Sequence, residues 1–162
     1  MVQDIVKELG YLSLGTRLRR IGELLQAQTQ SVLAAHGFEL PAAYFPLLAA
    51  LDRLGALSVG ELGQAVGVSQ PVVTRSLRGL EDDGLVESAT AQEDRRVRRV
   101  ALSAAGRSLV ERAKAEAWPA IEAAVAEACA GLDGPLLEQL SALEAALADR
   151  HLHARVQRGV QP

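Results

Sequence analysis

Residues 58–84 read SVGELGQAVGVSQPVVTRSLRGLEDDG, and the way this stretch divides sets the architecture around it. Ser58 and Glu61 have the spacing of a capping box, in which a hydroxyl and a carboxylate each satisfy a backbone N–H left over at a helix start. That spacing predicts a short helix over 59–66, broken by Gly67. Ser69 then stands as the cap of a second helix, with Pro71 in its first turn, where a missing N–H costs little. Val73, Leu77 and Leu80 fall on one face of that helix, and Gly84 ends it. Two short helices joined by a glycine-containing turn form a helix-turn-helix.

Past Gly84 the apolar period shortens toward two. LVESAT (85–90) and RRVALS (98–103) read as strands flanking the polar tip AQEDR, which makes a β-hairpin. Ser103 is placed to cap a long helix over 104–130, kinked at Trp118-Pro119. Gly131 to Pro135 form a turn, and Leu136, Leu137, Leu140, Leu143 and Leu147 mark a last amphipathic helix.

Upstream, Val2, Ile5, Val6, Leu9, Leu12, Leu18, Ile21 and Leu25 recur at helical spacing, with a break expected near Gly10 and a stop at His36-Gly37. A further helix is expected to begin near Leu40-Pro41, to be kinked by Pro46 and to close at Gly55.

Composition narrows the function classes. Of 162 residues 49% are apolar and only 3% aromatic, which suits a packed helical chain of one domain or two small lobes. The single cysteine, Cys129, excludes an internal disulfide framework and a cysteine-based zinc site, and fits a reducing compartment. No export signal is legible, and the longest apolar run, Leu40 to Leu51, falls short of the roughly 18 residues a membrane span needs. The expected location is the cytoplasm. His151 and His153 are two apart and diverge on a helix, so no metal site is expected there, and Cys129 reads as a small core hydrophobe. There is no phosphate-binding glycine loop, no Ser-His-Asp signature and no carboxylate pair in an apolar setting. No enzyme and no cofactor are expected.

The formal net charge is −3, yet its arrangement is uneven. Residues 70–80 hold Arg75 and Arg78 and no acid, while Arg95, Arg96, Arg98 and Arg99 crowd the hairpin beside Glu93 and Asp94. So many like charges close together call for a polyanion, since the two local acids compensate them only in part.

Helix-turn-helix followed by hairpin is a winged helix, and here the chain resembles the MarR family of bacterial transcription regulators along nearly its whole length. The most specific part is GLVESATAQEDRRVRRVALSAAG, residues 84–106. It is similar to the family's Gly-Leu-hydrophobic start, an Asp-x-Arg at the wing tip (Asp94, Arg96), and Leu-Ser-x-x-Gly (Leu102, Ser103, Gly106) entering the next helix. The resemblance implies a mainly α fold with a small β wing: a winged helix-turn-helix DNA-binding lobe over 38–103, a helical dimerisation lobe over 1–37 and 104–155, and a loose tail at 156–162. It implies Arg96 in a minor groove, with Asp94 shaping the tip.

The residues agree with that implication. With Val73, Leu77 and Leu80 turned inward, Ser69, Gln70, Val72, Thr74, Arg75 and Arg78 are left at the helix front that meets base edges and phosphates in a major groove. Arg95 and Arg98 are candidate phosphate contacts. The alternatives are a merely solvated surface and, for the whole chain, a winged-helix protein-interaction module without DNA binding. The acidic run Glu81-Asp82-Asp83 departs from the family, whose members often carry a basic residue there. It either weakens DNA affinity, sharpens its salt dependence, or pairs with wing arginines in the free protein.

The resemblance further implies a two-fold homodimer on double-stranded, pseudo-palindromic DNA, with Ile5, Leu9, Leu12, Leu136, Leu140, Leu143 and Leu147 as interface candidates. The same residues would also serve a helical bundle within one chain. It implies a small aromatic effector in a cleft, for which Tyr44, Phe45 and Trp118 are candidates, with plain core packing as the alternative.

Overall fold

The computed structural model describes residues 2–89 and 98–156. Helix α1 (Ile5–Glu8) and a 3-10 turn (Gly10–Ser13) lead into α2 (Leu14–Ala35), so the chain does break at Gly10. A second 3-10 turn (Ala42–Tyr44) precedes α3 (Phe45–Leu54), β1 (Leu57–Ser58), α4 (Val59–Val66) and α5 (Gln70–Asp82). Then come β2 (Val86–Ala89), β3 (Arg99–Leu102), α6 (Ala104–Ala115), α7 (Ala117–Cys129), α8 (Leu136–Asp149) and α9 (Leu152–Val156). Of the expected tail, residues 157–162 lie outside the described residues.

The chain divides into two compact units, one up to Ile121 and one from Glu122 onward. In the first, α3, α4, α5, the sheet and α6 bury Leu48, Leu62, Val73, Leu80, Val100 and Val110 almost completely. A second cluster gathers Leu33, Phe38, Phe45, Ala113 and Ala117, with the rings of Phe38 and Phe45 edge to face at 5.9 Å and Arg112 stacked over Phe38. Burial of large apolar side chains, about 1.5–3 kcal/mol each, is the main force holding this unit together. In the second unit, α8 and α9 bury no residue.

Two expectations need correction. Pro46 does not kink a helix; it sits in the first turn of α3, where its absent N–H has no helical acceptor to lose. The helix after Ser103 is interrupted rather than bent: α6 stops at Ala115 and α7 starts at Ala117. The cause is Pro119, which cannot donate to the carbonyl four residues back, that of Ala115. The two hairpin strands pair antiparallel as expected, and a further strand joins them in a three-stranded sheet in the order β1-β3-β2, with Leu57 opposite Val100 and Val86 opposite Leu102. A two-residue strand has too few positions to show a period, so β1 left no sequence signal.

Among the described residues no helix is long and apolar enough to cross a membrane, and no three His, Cys, Asp or Glu side chains come together as a metal site.

Candidate nucleic-acid interface

The capping box forms as its spacing predicts. The Ser58 hydroxyl accepts from the Glu61 N–H at 3.2 Å, and the Glu61 carboxylate accepts from the Ser58 N–H at 2.7 Å. Gly67 then takes φ +72°, a left-handed turn that a side chain resists, and α4 hands over to α5. The turn folds back closely on α4: a Cβ on Gly63 would lie 2.9 Å from the Val68 carbonyl oxygen.

Ser69 stands at the N-cap of α5, but its side chain makes no cap hydrogen bond. The expected cap fails for want of donors. Pro71 has no N–H, and the N–H groups of Val72 and Val73 already bond the Ser69 carbonyl at 3.0 and 3.1 Å. The exposed Ser69 side chain is left beside the helix start.

The amphipathic division of α5 is sharp. Val73, Ser76, Leu77 and Leu80 are buried, whereas Gln70, Val72, Thr74, Arg75 and Arg78 are exposed. Gln70, Pro71, Thr74, Arg75 and Arg78 line one shallow, open depression along its front. Among the described residues neither Arg75 nor Arg78 has an ion pair, so this face carries two uncompensated guanidinium groups.

The hairpin arginines behave differently. Asp94, Arg95 and Arg96 lie outside the described residues. Arg98 and Arg99 lie within them, and both are paired. The Arg98 guanidinium meets the Glu81 carboxylate and donates to the Ser88 hydroxyl at 3.1 Å. Arg99 donates to both carboxylate oxygens of Glu61, at 2.8 and 2.9 Å, and to the Ala56 carbonyl at 3.3 Å. For these two arginines, then, the compensating charge is internal. Glu61 is held below the usual glutamate range chiefly by the Ser58 N–H, then by the Ser58 side chain, with a smaller contribution from the Arg99 charge.

A cleft of about 750 Å³ opens elsewhere in the first unit. Phe45 and Trp118 line it, as do Gln26 and Thr29 of α2, Arg53 of α3 and Val66 of α4. Tyr44, expected with them, is not part of the lining. It faces Gly79 of α5, where an added Cβ would lie 2.4 Å from the Tyr44 hydroxyl. The polar residues of the cleft were missed in the sequence because separate helices contribute them and no short motif joins them.

The interface candidates split between the units. Ile5, Leu9 and Leu12 are exposed in the first; in the second, Leu140 and Leu147 are exposed and Leu136 and Leu143 half-buried.

A model of the MarR family matches residues 38–97. Among solved structures, a MarR family transcriptional regulator from Silicibacter pomeroyi is 31% identical, over 91% of this chain and 97% of its own, with a TM-score of 0.60. This chain belongs to the MarR family. Members of the MarR family are non-enzymatic DNA-binding transcription factors, so this one is a DNA-binding transcriptional regulator and not an enzyme. Two further solved structures are similar to this chain. The Mycobacterium tuberculosis regulator MosR, in complex with DNA, is 28% identical over 83% of this chain and 96% of its own, with a TM-score of 0.66. Bordetella bronchiseptica BpsR is 27% identical over 84% of this chain and 93% of its own, with a TM-score of 0.67, and its structure concerns regulation of DNA binding by 6-hydroxynicotinic acid.

The MarR-like Leu-Ser-x-x-Gly run has a clear physical basis here. Ser103 caps α6 by accepting from the Gly106 N–H at 3.0 Å and donates to the Gly84 carbonyl at 2.7 Å. Its own N–H bonds the Leu85 carbonyl at 3.0 Å, against which Gly106 packs without a side chain. Leu102 fills the core below.

Proposed function

We propose that this MarR family protein is a cytoplasmic, homodimeric, ligand-responsive repressor that reads a pseudo-palindromic operator. The observation that carries the reading is the front of α5, where exposed Gln70, Val72, Thr74, Arg75 and Arg78 include two cations that have no ion pair among the described residues. In the reading, α5 enters the major groove with this end leading. Gln70 is suited to the N6 and N7 of adenine, Arg75 to the O6 and N7 of guanine, and Val72 or the Thr74 methyl to a thymine methyl. Arg78 and the Ser69 hydroxyl face phosphates, which set register rather than sequence. Arg95 and Arg96 extend the contact from the wing, Arg96 into a minor groove and Arg95 onto phosphate, while Asp94 shapes the tip.

Apolar side chains left in water support a second copy as partner. Leu12 is 84% exposed and Ile5 54%, and the α8 leucines find no full cover in their own unit. A two-fold pair of chains repeats α5 about one DNA turn away, roughly 34 Å. For the effector, the cleft offers the Phe45 and Trp118 rings for an aromatic face and Arg53, Gln26 and Thr29 for polar substituents. The regulation of BpsR DNA binding by 6-hydroxynicotinic acid, a small aromatic acid, supports such a ligand.

Selection of bound duplexes from a random pool tests the proposal. The expected product is an inverted repeat with half-site centres about 10 base pairs apart. A pool that never converges on a motif, although it is retained, would leave only non-specific attachment.

A further inference from the structure

We infer that Glu81 is a positioning residue for DNA binding: it latches the root of the wing to the recognition helix by holding Arg98. The inference rests on the DNA-binding reading of α5. Glu81 lies in the last turn of α5, where the helix dipole disfavours an acid. Its side chain is nevertheless only 27% exposed, and its carboxylate meets the Arg98 guanidinium.

Arg98 is fixed from two sides, because its Nε donates to the Ser88 hydroxyl on β2 while an Nη reaches Glu81. The next residue makes the matching bond to the other helix of the motif, since Arg99 takes both oxygens of Glu61 on α4. Successive residues of an extended chain point to opposite faces, so one arginine is free to serve each helix. The basic hairpin thus divides by role. Arg98 and Arg99 tie its base to α5 and α4 through side chains that carry no sequence information.

A latch and a decoy differ in sign. If Glu81 merely occupied an arginine that DNA needs, removing its charge would tighten binding, and loss of a negative charge near phosphate would itself do the same. If Glu81 positions the wing, neutralising it weakens binding in spite of that gain. Arg98 then acts by holding geometry, so exchanging the two charges keeps the pair and keeps the function.

The experiment compares wild type with Glu81→Gln, Arg98→Gln and the double exchange Glu81→Arg/Arg98→Glu in the full-length protein. Amide hydrogen exchange at Ser88 and Val100, measured without DNA, reads the hairpin directly. Fluorescence anisotropy with a labelled duplex enriched from a random pool reads binding. The expected result is faster exchange and an affinity about three- to fivefold weaker in Glu81→Gln, the size of an exposed but well-formed ion pair. The double exchange should return both readouts to within about twofold of wild type. Unchanged exchange and affinity in Glu81→Gln, or tighter binding, would overturn the latch. A double exchange that binds no better than Arg98→Gln would overturn it too, because Arg98 would then be touching the duplex. Should wild type bind no duplex at all, the DNA reading fails, and the exchange measurement still decides whether the latch exists.

Discussion

Replacing Gly106 with alanine should destabilise this protein far more than a methyl added at an open helix position. A Cβ built on Gly106 lies 2.0 Å from the Leu85 carbonyl oxygen, 3.0 Å from the Leu85 carbonyl carbon and 3.3 Å from Leu102 Cδ2. Two of these three atoms are backbone, so no rotamer change relieves the clash; α6 and the segment entering β2 must part by about 1 Å or more. Overpacking of this kind costs about 1–3 kcal/mol. The displaced Leu85 carbonyl also loses the Ser103 N–H, now at 3.0 Å, for about 1–3 kcal/mol more. Alanine's better helix propensity returns up to about 1 kcal/mol. The net is a destabilisation of about 3 kcal/mol, or about 6–12 °C in Tm for a chain of this size. Thermal and urea unfolding followed by circular dichroism, at one fixed protein concentration, measure it. Gly22→Ala is the control: nothing lies within 4 Å of that position in α2, and it should gain about 0.5–1 kcal/mol. A Gly106→Ala protein within about 1 kcal/mol of wild type would refute the reasoning.

Other outcomes follow from the same geometry. Ser58→Ala removes one arm of the capping box and should cost about 0.5–2 kcal/mol in urea unfolding. Gly79→Ala should drive α5 against the Tyr44 ring at a cost of about 1–3 kcal/mol, with part of that recovered in a Tyr44→Leu background. In acid, Asp4, lowered first by its hydrogen bond from Arg20, and Glu61, lowered first by the Ser58 N–H, contribute stability that is complete above the ordinary carboxylate range. That contribution is lost as pH falls through their depressed folded values, so Glu61→Gln should flatten the acid limb of a Tm-against-pH curve. Lys114 is raised, first by its hydrogen bond to Asp52 and then by Glu111, and the sign reverses. Its share is complete below the ordinary lysine value and disappears as pH climbs past the folded one, so Lys114→Met should flatten the alkaline limb.

The helix-turn-helix was legible because its signals are local and mutually consistent: a capping box at fixed spacing, a glycine at the turn, and a three-to-four-residue apolar repeat in α5. The hairpin was legible through its change of period. What escaped depends on contacts between distant residues. Whether Pro46 kinks or begins a helix turns on where the preceding 3-10 turn ends, which composition does not encode. Strand β1 exists only because β3 offers Leu57 and Ser58 a partner more than forty positions away. Ser69 looked like a cap by residue type, yet Pro71 and the Ser69 carbonyl take away the donors that capping needs. The four hairpin arginines looked alike in the sequence; Glu61 and Glu81, which pair two of them, lie 38 and 17 residues away.

Whether the front of α5 reads bases is the point on which the rest stands. Titrating wild type and Arg75→Ala against two labelled duplexes, the selected operator and a scrambled one of equal composition, at one salt concentration, decides it. A bidentate guanine contact predicts a loss of about 1–3 kcal/mol on the operator, roughly 5- to 150-fold, with only a small and general loss on the scrambled duplex. Equal losses on both duplexes, or none on either, would contradict it.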